Sequence, residues 1–116
     1  MQHFLPGKSC KMEKQFMKSS NYLLECCVDS AYSARMAKKG GADRLELCSN
    51  LVIGGTTPTL ALYEQIRKQT GIRIHVLIRP RFGDFLYSED ETALICKEID
   101  AFRAAGADGV VIGSLS

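Results

Sequence analysis

The sequence GADRLELCS, residues 41–49, runs from a glycine directly into a short strand pattern. Leucine alternates there with charged or sulfur-bearing residues, so Leu45 and Leu47 are predicted on one strand face and Glu46 and Cys48 on the other. A glycine-rich loop over residues 49–58 follows and leads into a helix start. The stretch therefore predicts a βα unit with one face for packing and one for chemistry.

The same pattern returns 65 positions later as GADGVVIGS, residues 106–114. Strand patterns over residues 22–28, 43–48, 72–78 and 108–113 alternate with three amphipathic helix patterns. This βαβαβαβ order predicts an α/β fold with parallel strands, and a repeat of two βα units is typical of a TIM (β/α)8 barrel. Since eight strands typically take about 250 residues, four strands indicate a small open sheet, a truncated chain or half of an assembly.

Capping signals place the helix starts. Ser30 precedes the first helix, and Ser88 with Glu91 three residues later is a capping box for the third. For the second helix we expect Thr57 as the N-cap and Pro58 at the first helical position.

Composition favours one globular domain, since 46% of residues are hydrophobic and 24% are charged. No apolar run reaches the roughly 18 to 20 residues of a membrane helix, and no secretory signal is evident. We expect a cytoplasmic protein, with the nucleus also open, and neither membrane nor nucleic-acid binding. Residues 1–20, with four lysines against one glutamate, are predicted to form a flexible basic extension before a domain over residues 21–116.

The strand facings bring polar side chains together. Alternation predicts that three neighbouring strands direct these residues to the inner face: Glu25, Cys27, Glu46, Cys48, His75 and Arg79. Buried carboxylates are costly unless paired, so glutamates beside an arginine indicate a ligand or catalytic pocket. Glutamate would act as general acid or base and Arg79 as an anion clamp, whereas a Glu–Arg lattice that only holds strands in register is the structural alternative. No organic cofactor is predicted.

The five cysteines, odd in number and two of them adjacent, do not indicate a disulfide framework. Cys27 and Cys48 end neighbouring strands with the same facing, so their sulfurs are a candidate ligand pair for a soft ion such as Cu(I). The alternative is that both cysteines are small packing residues, which is our interpretation of Cys26 and Cys96.

Four ordered segments make the sequence resemble the CutC family of copper homeostasis proteins: residues 24–30, 40–48, 54–58 and 78–88. The resemblance covers about residues 22–116. It implies a cytoplasmic (β/α)8 barrel linked to copper tolerance, with Cys27 and Cys48 at the positions proposed to bind Cu(I) in animal members. It also implies that Glu25, Glu46, Arg79 and Asp84 match acidic and basic residues at the barrel mouth.

Family members run to about twice this length, so the resemblance predicts a truncated form or isoform that holds about the first four strands of the TIM (β/α)8 barrel, a half barrel. Open strand edges would then favour self-association into a homo-oligomer. The principal hypothesis is Cu(I) binding through the cysteine pair. The alternatives are a barrel enzyme that acts on a small anionic substrate through Glu25 or Glu46 and Arg79, and a truncated isoform without independent activity.

Overall fold

A computed structural model describes residues 22–115, so the basic extension predicted over residues 1–20 lies outside the described part. Four parallel strands form one sheet in the order β1-β2-β3-β4, which confirms the predicted α/β architecture. The strands are β1 (Glu25–Val28), β2 (Arg44–Leu47), β3 (Arg73–Leu77) and β4 (Gly109–Val111). The connecting helices are α1 (Ala31–Lys39), α2 (Leu60–Thr70) and α3 (Glu89–Ala104), with a short 3₁₀ helix at Leu51–Ile53.

Two of the three predicted helix starts are confirmed. The Ser30 hydroxyl accepts a hydrogen bond from the Ser33 N–H at 3.0 Å and so caps α1. At α3, Ser88 and Glu91 form the complete capping box. These caps satisfy amide groups that have no partner within the first helical turn.

The prediction for the start of α2 was wrong by two residues. Thr59 is the N-cap, and its hydroxyl accepts a hydrogen bond from the Leu62 N–H at 3.1 Å. Thr57 is instead hydrogen-bonded to Arg79, just beyond the end of β3. Its hydroxyl accepts from the Arg79 N–H at 2.8 Å, and its own N–H donates to the Arg79 carbonyl at 3.0 Å. These two bonds hold Thr57 outside the helix.

The sheet has one apolar face, and the helices cover it. Its core comprises side chains that alternate along the strands together with residues of all three helices: Val28, Ala34, Ala42, Leu45, Leu47, Tyr63, Ile66, Ile74, Val76, Ile78 and Phe102. Cys26 packs against this core, as predicted, whereas the same prediction for Cys96 was wrong because its position on α3 is exposed. The opposite face carries the polar residues, because successive strand side chains point in opposite directions.

The sequence repeat has a structural counterpart. The Asp43 carboxylate accepts a hydrogen bond from the Leu24 N–H at 2.9 Å, and the Asp43 N–H donates to the Leu24 carbonyl. Asp108 makes the same two bonds to Ile74, with the carboxylate bond again at 2.9 Å. Each aspartate therefore joins the start of its own strand to the start of the preceding strand.

Within residues 22–115, no helix combines the length and apolar character that crossing a membrane would require.

Candidate functional site

The polar face of the sheet lines a cavity of about 340 Å³, called here the inner cavity. Glu25, Arg44, Glu46 and His75 line it from β1, β2 and β3, and residues 110–112 line it from the side of β4. Cα pairing places Glu25 beside Arg44 and Glu46 beside His75. The parallel register thus concentrates two carboxylates, a guanidinium and an imidazole on one face.

The negative charge of Glu25 is balanced by an ion pair with Arg44. The Arg44 Nε donates to Glu25 Oε2 at 2.5 Å, and the glutamate side chain is 7% exposed. The sequence interpretation did not single out Arg44, although Arg44 lies two residues before Glu46 and therefore on the same strand face. The guanidinium that contacts a carboxylate in the inner cavity therefore belongs to Arg44.

Glu46 is almost fully buried and has no arginine bonded to it. One carboxyl oxygen, Oε2, lies 3.7 Å from the Cys27 sulfur, which donates to it, whereas Oε1 has no hydrogen-bond partner within residues 22–115. Burial, with a smaller contribution from the charge of Glu25, raises the pKa of Glu46 to about 7. At neutral pH this carboxyl group is therefore divided between its protonated and ionised forms.

His75 is held against β4. Gly109 is its Cα partner, and a Cβ built on that glycine would lie 2.9 Å from the His75 Nε2. Burial lowers the pKa of His75, and the nearby Arg44 charge acts in the same direction. The imidazole is consequently neutral at physiological pH.

Cys27 and Cys48 both belong to the polar face. Cys27 contacts Glu46, and Cys48 lies beneath the glycine loop, where a Cβ built on Gly55 would be 3.6 Å from its sulfur. The Cys48 thiol donates to the Val28 carbonyl at 3.6 Å and is 1% exposed. Burial raises the pKa of Cys48 to about 12, and the Cys27 charge acts in the same direction.

The two cysteines are diagonal neighbours. Cys27 pairs with Glu46, and Cys48 comes two residues later on the same strand face. Strand spacing and rise then put their Cα atoms roughly 8 Å apart. A disulfide needs Cα atoms within about 7 Å, so this spacing suits an ion between two sulfurs better than a direct bond. Among the described residues, no group of three or more His, Cys, Asp or Glu side chains is arranged to hold a metal ion.

Arg79 and Asp84 lie away from the inner cavity. The Arg79 guanidinium donates to the carbonyls of Gly55 and Gly83, at 3.2 and 2.8 Å. Asp84 accepts from Arg81 at 3.2 Å and from the Leu86 N–H at 3.1 Å, with its side chain 70% exposed. Alternation along a strand does not set the direction of either side chain, because both residues follow the end of β3 at Leu77. Of the predicted set, Glu25, Glu46 and His75 thus line the inner cavity, the two cysteines lie beside Glu46 and Gly55, and Arg79 and Asp84 lie in the loop after β3.

The family model for the CutC family matches residues 22–116. The chain belongs to the CutC family. Among similar CutC proteins, the mouse "copper homeostasis protein cutC homolog" is 41% identical over an alignment of 116 positions, which covers 95% of this chain and 43% of the mouse protein. The human protein of the same name is 46% identical over 98 residues, covering 84% of this chain and 36% of the human protein.

The crystal structure of a CutC protein from Streptococcus agalactiae has the same fold, with a TM-score of 0.75 and 32% sequence identity. The match covers 81% of this chain and 46% of that chain. This CutC chain therefore spans less than half the length of these relatives, and its four strands correspond to part of a TIM-barrel-like fold.

Proposed function

We propose that this CutC chain binds Cu(I) between the thiolates of Cys27 and Cys48, as a copper-handling protein of the cytosol. The observation that carries the proposal is the placement of both sulfur atoms on the polar face of adjacent strands, with diagonal spacing. Thiolates are the ligands that select Cu(I) in proteins. The names of the mouse and human relatives, which refer to copper homeostasis, support the same function.

The surroundings of the pair influence how a copper ion would enter. Binding requires each thiol to lose its proton, and Cys27 already donates to the Glu46 carboxyl group. Cys48 is enclosed by the loop at Gly55, and its high pKa means that copper must displace a firmly held proton. We therefore expect Cu(I) affinity to increase with pH and entry to require movement of the glycine loop.

An anaerobic Cu(I) titration against a chromophoric chelator tests the proposal. The test variant is Cys27→Ala with Cys48→Ala. The matched control is Cys26→Ala with Cys96→Ala, which removes the same number of thiols from a core-packed and an exposed position. We expect one Cu(I) per chain in the wild type and the control, and loss of tight binding in the test variant. Equal binding by both variants would contradict the proposal.

The enzymatic alternative required Arg79 and the glutamates to act on one anionic substrate. In the structure Glu25 and Glu46 line the inner cavity, whereas Arg79 lines a different cavity on the loops. The arginine of the inner cavity, Arg44, is already paired with Glu25. This separation favours the copper proposal over that alternative.

We also propose that the chain associates with itself through the outer edges of β1 and β4, which are the terminal strands of the described sheet. Unpaired strand edges carry backbone donors and acceptors that another strand would satisfy. Size-exclusion chromatography with light scattering over a concentration series measures this directly. A monomer at all concentrations would contradict the proposal.

A further inference from the structure

A second cavity, of about 480 Å³, lies where the loops after β2 and β3 meet α3, and is called here the loop cavity. Its polar lining includes Asn50, Thr56, Arg79, Arg81 and Glu98. None of its lining residues lines the inner cavity. Its contents would therefore be recognised independently of the cysteine pair.

Arg79 is held rigidly at this cavity. Two carbonyl groups, from Gly55 and Gly83, accept hydrogen bonds from its terminal nitrogens, and the guanidinium lies 4.9 Å from the centre of the Phe85 ring. Gly54 approaches closely, since a Cβ built there would lie 3.1 Å from Nη1. The backbone of two loops and an aromatic ring thus fix the orientation of one cation.

The positive charge of Arg79 is not balanced by an ion pair within residues 22–115. Its Nε is buried and has no hydrogen-bond partner in the described part of the chain. The neighbouring Arg81 contrasts with it, because Arg81 forms ion pairs with both Asp84 and Glu91. A partly buried guanidinium with an unused donor costs free energy unless a counter-charge or an acceptor compensates it.

The remaining lining supplies further recognition groups. The Asn50 amide donates to the Thr56 hydroxyl oxygen at 3.0 Å, which leaves the Thr56 hydroxyl hydrogen to donate to another group. Phe82 adds an exposed aromatic surface at the rim. Glu98 also lines the cavity, and burial raises the pKa of its carboxyl group.

We propose that the loop cavity binds a small molecule through its carboxylate or phosphate group, with Arg79 as the anchor and Thr56 as an additional donor. Arginine suits this role because its planar fork matches the oxygen geometry of carboxylates and phosphates. The structural alternative is that Arg79 only joins the two loops. In that case no added oxyanion would perturb its guanidinium group.

Nitrogen-15 NMR of the arginine Nε–H groups in the wild-type chain distinguishes these possibilities. Inorganic phosphate and acetate are titrated separately, with sodium chloride at equal ionic strength as the reference. We expect the Arg79 Nε–H resonance to shift and saturate with at least one of the two oxyanions but not with chloride. Saturation by phosphate alone, acetate alone or both identifies the group that the cavity accepts. No saturable shift up to about 50 mM, where a millimolar site would be filled, would overturn the proposal.

A variant pair provides a second measurement. Arg79→Lys keeps the charge but loses the planar fork, and Arg73→Lys is the control at an exposed residue of β3. We expect oxyanion affinity to fall roughly tenfold or more in Arg79→Lys and to stay unchanged in Arg73→Lys. Equal affinity in the two variants would refute the role of Arg79. If Arg79→Lys does not fold, the wild-type resonance decides the question by itself.

Discussion

The imidazole of His75 lies against the backbone of Gly109, so closely that a Cβ at position 109 would be within 3.0 Å of three ring atoms. β4 therefore contributes to the inner cavity by having no side chain at this point. Because packed neighbours must move when such space is filled, the glycine determines where the imidazole lies.

Gly109→Ala is expected to displace the ring of His75 toward solvent and to lower the free energy of unfolding by roughly 1–3 kcal/mol. Since burial lowers the pKa of His75, exposure should raise this pKa toward its ordinary value of 6.5. An NMR pH titration of the histidine ring signals measures the change. If the two positions interact, combining Gly109→Ala with His75→Ala should cost less than the sum of the single changes; simple additivity would argue against the contact.

Arg44→Met is expected to destabilise the chain by roughly 3–5 kcal/mol, because it leaves the buried Glu25 carboxylate without its partner. Arg73→Met is the matched control, since Arg73 is the Cα partner of Arg44 on β3 but is exposed. Urea denaturation of both variants tests the difference. Similar losses in the two would show that the ion pair has no special role.

The stability of the chain should depend on pH through Glu46. The folded-state pKa of about 7 lies above the ordinary glutamate value of 4.5, so the folded state binds this proton more tightly than the unfolded state does. The contribution is fully present below pH 4.5 and is lost as the pH rises through 7, by roughly 2–3 kcal/mol for this group. Denaturation at pH 5 and pH 8 should show this loss in the wild type and a smaller loss in Glu46→Gln. The same loss in both proteins would exclude Glu46 as its source.

Thr59→Ala is expected to cost roughly 1 kcal/mol by removing the N-cap of α2. Thr57→Ala should act differently, because Thr57 bonds to Arg79 and not to a helix amide. Hydrogen exchange locates each effect: faster exchange at the Leu62 amide for Thr59→Ala, and at the Arg79 amide for Thr57→Ala. A reversed pattern would restore Thr57 as the cap.

Much of the fold and of the polar face could be predicted from the sequence, because period-2 alternation is a strong constraint on a strand with one apolar face. The pairs Leu45 with Leu47 and Ile74 with Val76 both lie in the core, which directs Glu46 and His75 to the other face. Alternation alone also places Arg44 on that face, two positions before Glu46, but it does not show that the guanidinium pairs with Glu25 across the strands.

The positions beyond the strand ends could not be predicted in this way. Arg79 follows β3, and its direction depends on hydrogen bonds to carbonyls in two loops, which no periodicity encodes. In the sequence Pro58 favours Thr57 as the cap, and only the pairing of Thr57 with Arg79 leaves that role to Thr59. Contacts between loops that are distant in the sequence therefore determine both the direction of Arg79 and the N-cap of α2.

The bond between Asp43 and the Leu24 amide has a consequence for the adjacent cysteines 26 and 27. A slip of β1 by one residue against β2 would exchange the two faces of the strand. Cys26 would then lie on the polar face, and Cys27 would be turned toward the helices. The aspartate, at the opposite end of the strand from the thiols, thus selects which sulfur is available to a metal.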